Sequence, residues 1–275
     1  MTLIQILILA IVQGLTEFLP ISSSGHLVVT SHVMGWPDQG LTIDIAVHVG
    51  TLLAVAAYFW RDLMRIVRGT LRLLTFSGGP DTRLAAMLLV ATLPIVGVGY
   101  FGRETVIPLL RNVEIIAWAT VGFAILLWIA DRIGMTVQRI EHIGYIGAAT
   151  IGLAQVLALI PGTSRSGITM TAGRFLGMER IEAARFSLLL SIPTIAGAGL
   201  LAGYDLWQGG DVELRYDAAV AAGLAFVAGI ASIAVMMRWL QRSGFGPFVI
   251  YRIALGILLL WWIYGSGLPM PGEAS

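Results

Sequence analysis

The sequence predicts an all-α integral membrane protein built as an inverted repeat, each half holding one re-entrant helix pair plus three transmembrane helices. Three observations carry that expectation. Of 275 residues, 57% are hydrophobic and 12% charged, with a mean hydropathy of +0.85, whereas an ordinary soluble domain carries about 25% charged residues. Six apolar stretches are each long enough for a bilayer, which takes roughly 20 helical residues. Two further apolar segments, near 1–36 and 143–176, are broken midway by Pro, Gly and Ser.

The N-terminal run MTLIQILILAIVQG lacks the basic region and small-residue cleavage site of a signal peptide, and is read as part of the mature fold. Its helix brings Gln13 and Glu17, four apart, to one face. Pro20 stops it, because proline has no amide hydrogen for a further turn. Ser22, Ser23 and Ser24 are good N-caps for the helix that follows, whose first turn holds Gly25 and His26. Broken backbone of this kind is tolerated at membrane depth only where protein or a cavity surrounds it, so segment 1–36 reads as a re-entrant pair.

Turn-rich WPDQG at 36–40 leads to a span near 41–60, and SGGPD at 77–81 leads to spans near 84–102 and 113–131. The second re-entrant segment, 143–176, is followed by spans near 181–203, 216–238 and 248–265. Pro94, Pro108 and Pro193 are expected as kinks or helix ends. Gly and Ala in AGAGLLAG and AVAAGLAFVAG let helices approach closely, and the tail after Tyr264 is expected to fray. The whole is one polytopic domain, 1–275, with repeat 1 at about 1–133 and repeat 2 at about 143–265.

Shifting the chain by 142 residues lays Gln13, Leu15, Ser22, Ser24 and Gly25 on Gln155, Leu157, Ser164, Ser166 and Gly167. Glu17 becomes Leu159, Ser23 becomes Arg165 and His26 becomes Ile168, so one copy carries the acid and the other the fixed cation. Three crossings per half are an odd number, which turns the second half upside down and brings two broken helices together near the midplane, as in transporters. The charges agree: Arg61 to Arg83 holds five arginines against Asp62 and Asp81, while Tyr204 to Asp217 holds four acids against Arg215. The first segment is therefore expected on the cytoplasmic side with Arg132, Arg139, Arg238 and Arg242, and the second outside.

Composition excludes several chemistries. All 17 basic residues are arginine, so no Schiff-base or P-loop lysine exists. No cysteine means no disulfide, thiol nucleophile or thiolate metal site. A net charge of +1 gives no electrostatic case for nucleic acid. What remains is concentrated at the two tips. Glu17 is a candidate metal ligand or general base. Ser23, beside an acid and a histidine, is a candidate nucleophile as well as a cap, and His26 a candidate acid or base. Arg165 offers a planar fork for two phosphate oxygens. Gln13, Ser22, Ser24, Gly25, Ser164, Ser166, Gly167 and Thr169 complete an anion site at two helix starts. His48 is read as packed or hydrogen-bonded, and Asp44, Arg174, Glu179 and Arg185 as solvated or paired near span ends. An anion hole, a cation, a carboxylate and a Ser/His pair suit phosphoryl transfer, and midplane location implies that the phosphate comes on a lipid.

The two motifs resemble those of the undecaprenyl pyrophosphate phosphatase family, the bacterial bacitracin-resistance phosphatases. Gln13, Glu17, Pro20, Ser22, Ser23, Gly25 and His26 match its first signature, and Pro161, Gly162, Ser164, Arg165, Ser166 and Thr169 match its PGxSRSxxT signature. Gln13 stands where some members have a second Glu. The resemblance implies hydrolysis of undecaprenyl diphosphate to the monophosphate in the bacterial inner membrane, with dependence on Mg²⁺ or Ca²⁺. By position, Arg165 would clamp the diphosphate and Ser23 would be the nucleophile. His26 would activate Ser23 or protonate the leaving group, and Glu17 would hold the metal or assist as base. Whether a phosphoserine forms or water attacks directly is left open. The expected partners are the polyprenyl diphosphate lipid and the membrane, with a second copy of the chain, a homodimer, also open. A transporter or flippase for a polyprenyl phosphate is the alternative, because the same repeat would serve alternating access.

Overall fold

The computed structural model describes residues 2–36, 40–102, 110, 113–134, 137–208 and 212–265, leaving aside the side chains of 28, 31–33, 40–42 and 198–215. Pro108, most of WPDQG, the tail, and most of the acidic side chains between Tyr204 and Asp217 lie outside the described residues.

Eleven α-helices are described: α1 Leu3–Thr16, α2 Ser23–Val33, α3 Gly40–Tyr58, α4 Trp60–Leu74, α5 Pro80–Gly102, α6 Val113–Ile133, α7 Gly144–Val156, α8 Arg165–Phe175, α9 Arg180–Gln208, α10 Val212–Leu240 and α11 Gly246–Gly265. Among the described residues four helical stretches are long and apolar enough to cross a membrane: Pro80–Gly102, Val113–Ile133, Tyr216–Leu240 and Gly246–Gly265. A fifth candidate is the pair Ile43–Tyr58 and Trp60–Leu74, bent by 93° at Phe59. The protein is thus an all-helical, multi-pass membrane protein. Pro94 and Pro193 sit inside α5 and α9, so neither ends its helix.

The distribution of side chains is that of a molecule solvated by lipid. Leu93, Phe101, Trp118 and Ile146 are exposed, while Gln13, Gln155, Arg174 and Arg252 are buried. Polar groups inside and large apolar groups outside invert the pattern of a water-soluble domain. The main core runs through Phe18, Val55, Leu88, Leu127, Ile151, Met170, Leu189 and Ile233. A second cluster, with Ile6, Ala10, Val47 and Ala225, lies where α1 meets α3 and α10.

Both broken segments fold as the sequence leads one to expect locally. Helix α1 begins with a capping box between Thr2 and Gln5, and the turn after it holds Pro20 and a left-handed Ser22, φ 72°. Helix α8 follows Gly162, φ 91°, and a left-handed Ser164, φ 68°, whose hydroxyl accepts from the Gly167 N–H at 3.1 Å. The shift of 142 residues carries Ser22 onto Ser164 and the bounds of α2 onto those of α8. It also carries the His26 N–H to Ser22 carbonyl bond onto that from Ile168 to Ser164. In the packing, α1 lies on α10 and α7 lies on α5, so the first helix of each half docks on the second long span of the other.

Ion pairs fix the ends of the helices at the edge of this core. Asp131 on α6 accepts from Arg180 at 2.7 and 3.2 Å and from the Phe245 N–H at 3.2 Å, and pairs with buried Arg174 at 3.3 Å. Asp62 on α4 accepts both ends of the Arg185 fork from α9, at 3.0 and 2.6 Å. Arg139 and Glu179 stand 3.6 Å apart. Arg174, Glu179 and Arg185 are thus paired, as the sequence implies.

Candidate active site

The end of α1 places Glu17 at its C-cap, where its backbone N–H still bonds to the Gln13 carbonyl. The helical spacing then puts the Gln13 side chain over the carboxylate, and its Nε2 donates to Glu17 Oε2 at 3.0 Å. Folding back through Pro20 and Ser22 brings the Ser23 hydroxyl to the same oxygen, donating at 2.7 Å. The second tip supplies the cation. Arg165, the first residue of α8, donates to Glu17 Oε1 at 2.9 Å, across 148 residues of sequence. The Ser166 hydroxyl donates to the Leu19 carbonyl at 3.0 Å, so a second bond ties the two tips together.

Glu17 is buried, and a carboxylate taken out of water is costly unless paired. The Arg165 fork and the Gln13 and Ser23 donors supply that pairing. His48 stands beside the carboxylate: its Nε2 lies 3.8 Å from Glu17 Oε2, while its Nδ1 is 2.6 Å from the Asp44 carbonyl. A carbonyl only accepts, so Nδ1 carries a proton and Nε2 is the nitrogen that faces the acid. His48 is hydrogen-bonded as read from sequence, and it also stands at the site.

These groups line a cavity of about 250 Å³ whose polar wall includes Glu17, Ser22, Ser23, Ser24, Ser164 and Arg165. Ile95, Ala158 and Ile195 form its apolar wall, so a charged group and an adjoining hydrocarbon could share it. The Ser22 and Ser24 hydroxyls are 3.3 Å apart and those of Ser164 and Ser166 3.1 Å apart, which puts a serine pair at each helix start. Gly25 lies in the first turn of α2, where a Cβ would meet Ile116 at 3.6 Å. Thr169 stands behind Arg165, its hydroxyl donating to the Arg165 carbonyl at 2.9 Å and lying 2.7 Å from that of Ser187.

His26 takes a different place. Its Nδ1 is 2.7 Å from the Ser22 carbonyl and must donate there, leaving Nε2 to accept from the Tyr251 hydroxyl at 2.6 Å. The two rings stack with centroids 5.5 Å apart. Among the described residues His26 makes no hydrogen bond to Ser23; the acceptor of that hydroxyl is Glu17.

Arg252 is the participant that sequence reasoning misses. Fully buried in α11, it donates to the Pro20 carbonyl of the first tip at 3.3 Å and to the Gly162 and Thr163 carbonyls of the second, both at 2.9 Å. One guanidinium therefore holds both breaks in register. The signal was a lone arginine within an apolar span, and such intramembrane charges are functional by default.

The donor set can be tested against a divalent cation. Among the described residues no group of three or more His, Cys, Asp or Glu is gathered. Next to Glu17, however, the Gln13 Oε1 is buried without a hydrogen-bond partner. A neutral amide oxygen beside a carboxylate is the hard donor chemistry that Mg²⁺ and Ca²⁺ take, so the residues present fit such an ion once a phosphate supplies further oxygens.

Comparison with known proteins bears on what this cavity does. The family model described as bacitracin resistance protein BacA matches residues 6–258, which include both tips. The chain belongs to that family. The chain is also similar to undecaprenyl-diphosphatase 1 of Rhodospirillum rubrum, 50% identical over 270 residues that cover 94% of this chain and 95% of the relative. The undecaprenyl-diphosphatases of Jannaschia sp. and Roseobacter denitrificans are each 47% identical, over 94% and 96% of this chain and 98% and 100% of theirs. The family match runs over nearly every helix, so it concerns the whole architecture as well as the motifs.

Proposed function

We propose that the chain is an undecaprenyl-diphosphate phosphatase of the bacterial inner membrane, releasing inorganic phosphate and returning the carrier lipid monophosphate to cell-wall synthesis. The observation that carries this reading is the 2.9 Å contact between Glu17 and Arg165 inside a cavity of serine hydroxyls, found in a chain whose full-length relatives are undecaprenyl-diphosphatases. The two halves are read as inverted copies whose broken helices enter from opposite faces. Support comes from the left-handed serine at the same place in both tips and the reciprocal docking of α1 on α10 and α7 on α5.

The chemistry follows from the contacts. When the terminal phosphate enters, the Arg165 fork passes from Glu17 Oε1 to the phosphoryl oxygens, where a fixed cation stabilises charge throughout transfer. Ser23 Oγ attacks the terminal phosphorus as Glu17 Oε2 takes its proton. The bond from that phosphorus to the bridging oxygen breaks, the lipid monophosphate leaves with the electron pair, and Glu17 returns the proton to the departing oxygen. Water then attacks the phosphoserine, again giving its proton to Glu17. Ser23 recovers that proton as its bond to phosphorus breaks. His48 Nε2 faces the acid at 3.8 Å throughout this cycle. Gln13 Oε1 and Glu17 would hold Mg²⁺ or Ca²⁺ together with substrate oxygens. A bound ion would supply neutralisation of the diphosphate charge.

Purified protein in detergent, given undecaprenyl diphosphate, is expected to release inorganic phosphate with no second compartment present, and to stop when divalent ions are chelated. Absence of release at any ion concentration would sink the phosphatase reading in favour of a transporter.

A further inference from the structure

Helix α4 is not explained by the phosphatase site. It leaves α3 at 93°, so it runs across the spanning direction. Its residues divide into three faces at helical spacing. Asp62 and Gly69 are buried, and on this side the helix packs on α5. Trp60, Met64, Val67, Leu71 and Leu74 follow one another at steps of four and three residues and are all exposed, Leu74 at 74%. Between these two faces run Arg61, Arg65, Arg68 and Arg72. A helix with a wide apolar row beside a basic row lies in the plane of a membrane interface.

Beneath the basic row is a cavity of about 330 Å³, bounded by Arg65, Arg83 and Arg185 with one acid, Glu141, and walled by Leu84, Met87 and Leu189. Arg65 and Arg185 are committed to Asp62 and Asp81. Arg61, Arg72 and Arg83 make no ion pair among the described residues, and Arg68 reaches Asp81 only at 3.9 Å. The Arg83 guanidinium at an apolar-walled pocket, beside the exposed arginine row of a helix that has just turned aside from the spanning direction, matches a phosphodiester headgroup with its acyl chains below.

We propose that α4 and the cavity beneath it form a binding site for acidic phospholipid, separate from the cavity at Glu17. The row from Trp60 to Leu74 lies among acyl chains, while Arg83 at the cavity takes the phosphate and Arg61, Arg68 and Arg72 add positive charge along the headgroup layer. Arginine forks suit this, since each can give two parallel hydrogen bonds to phosphate oxygens. The attraction is electrostatic and should weaken as salt rises.

The test uses the full chain in detergent with phosphatidylglycerol or phosphatidylcholine of matched acyl chains, followed by native mass spectrometry and thermal unfolding. Phosphatidylglycerol is expected to bind at least tenfold more tightly and to raise the midpoint. Arg83→Gln, and the combined R61Q/R68Q/R72Q, should remove that preference with little cost to the fold, because all four are exposed and their one ion pair to another element among the described residues is the 3.9 Å approach of Arg68 to Asp81. Leu71→Asp should weaken both lipids alike by spoiling the apolar row. Equal binding of the two lipids to the wild type, or a phosphatidylglycerol preference that survives both arginine changes, would overturn the proposal. Phosphate release from undecaprenyl diphosphate, measured in parallel, reports independently on the other site.

Discussion

Glu17 does several things at once because one oxygen receives Ser23 and Gln13 while the other receives Arg165. Glu17→Gln keeps the shape and the donor to Oε1 but has no base, and phosphate release is expected to fall by about 10²–10⁴, the usual contribution of a positioned general base. Ser23→Ala should be at least as damaging, and acid-quenched wild type given substrate labelled in its terminal phosphate should carry label on Ser23. If water attacks directly, that label is absent and Ser23→Ala keeps most of its turnover. His26→Gln should cost only about tenfold, below the usual range for a positioned acid or base, because both ring nitrogens are committed to Ser22 and Tyr251. Glu17, Ser23 and Arg165 were legible in sequence because each sits in a dense polar turn where a membrane helix should be apolar. The pairing of Ser23 with Glu17 instead of His26 was not. Sequence spacing puts His26 in the same turn, but the left-handed Ser22 sets the direction in which that turn faces.

At the scale of elements, two broken helices need something to hold their ends, and Arg252 provides it. Replacing it with Met takes the guanidinium from the Pro20, Gly162 and Thr163 carbonyls; Gly162 keeps the Thr120 hydroxyl at 3.3 Å, and each carbonyl left buried and unpaired costs about 1–3 kcal/mol. Arg252→Met is therefore expected to lower the unfolding midpoint by several degrees and to reduce kcat far more than it raises KM. Lys at the same position should recover part of the stability and little of the rate, since one ammonium cannot span three carbonyls on two tips. The close approach of α3 and α10 has a similar dependence. A Cβ on Gly50 would stand 2.1 Å from the Ala222 carbonyl oxygen, so Gly50→Ala must push the helices apart, at about 1–3 kcal/mol or more for overpacking. Thermal unfolding in detergent measures both. Helix positions were largely legible from apolar length, whereas α4 was read as part of an arginine-rich loop segment. Its charge drew attention away from the row at 60, 64, 67, 71 and 74, and no local signal marks a 93° turn at Phe59.

For the whole molecule, the inverted arrangement makes a prediction about sidedness that the family relationship alone does not. Three crossings in each half, as proposed above, would turn the second upside down and gather the arginine-rich loops on one face. The chain has no cysteine, so a single introduced thiol reports one position without background. Ser77, between α4 and α5, and Ser243, between α10 and α11, would then share the arginine-rich side. Tyr216, near the start of α10 and 67% exposed, would lie on the other. A membrane-impermeant maleimide added to intact cells should label Tyr216→Cys, and should label Ser77→Cys and Ser243→Cys only after the inner membrane is opened. The two serines matter most as a pair, because they lie in opposite halves and share a side only if the halves are inverted. Labelling of one from outside and the other from inside would make the halves parallel. The two tips could not then enter from opposite faces, and the Glu17–Arg165 contact would need another topology to explain it.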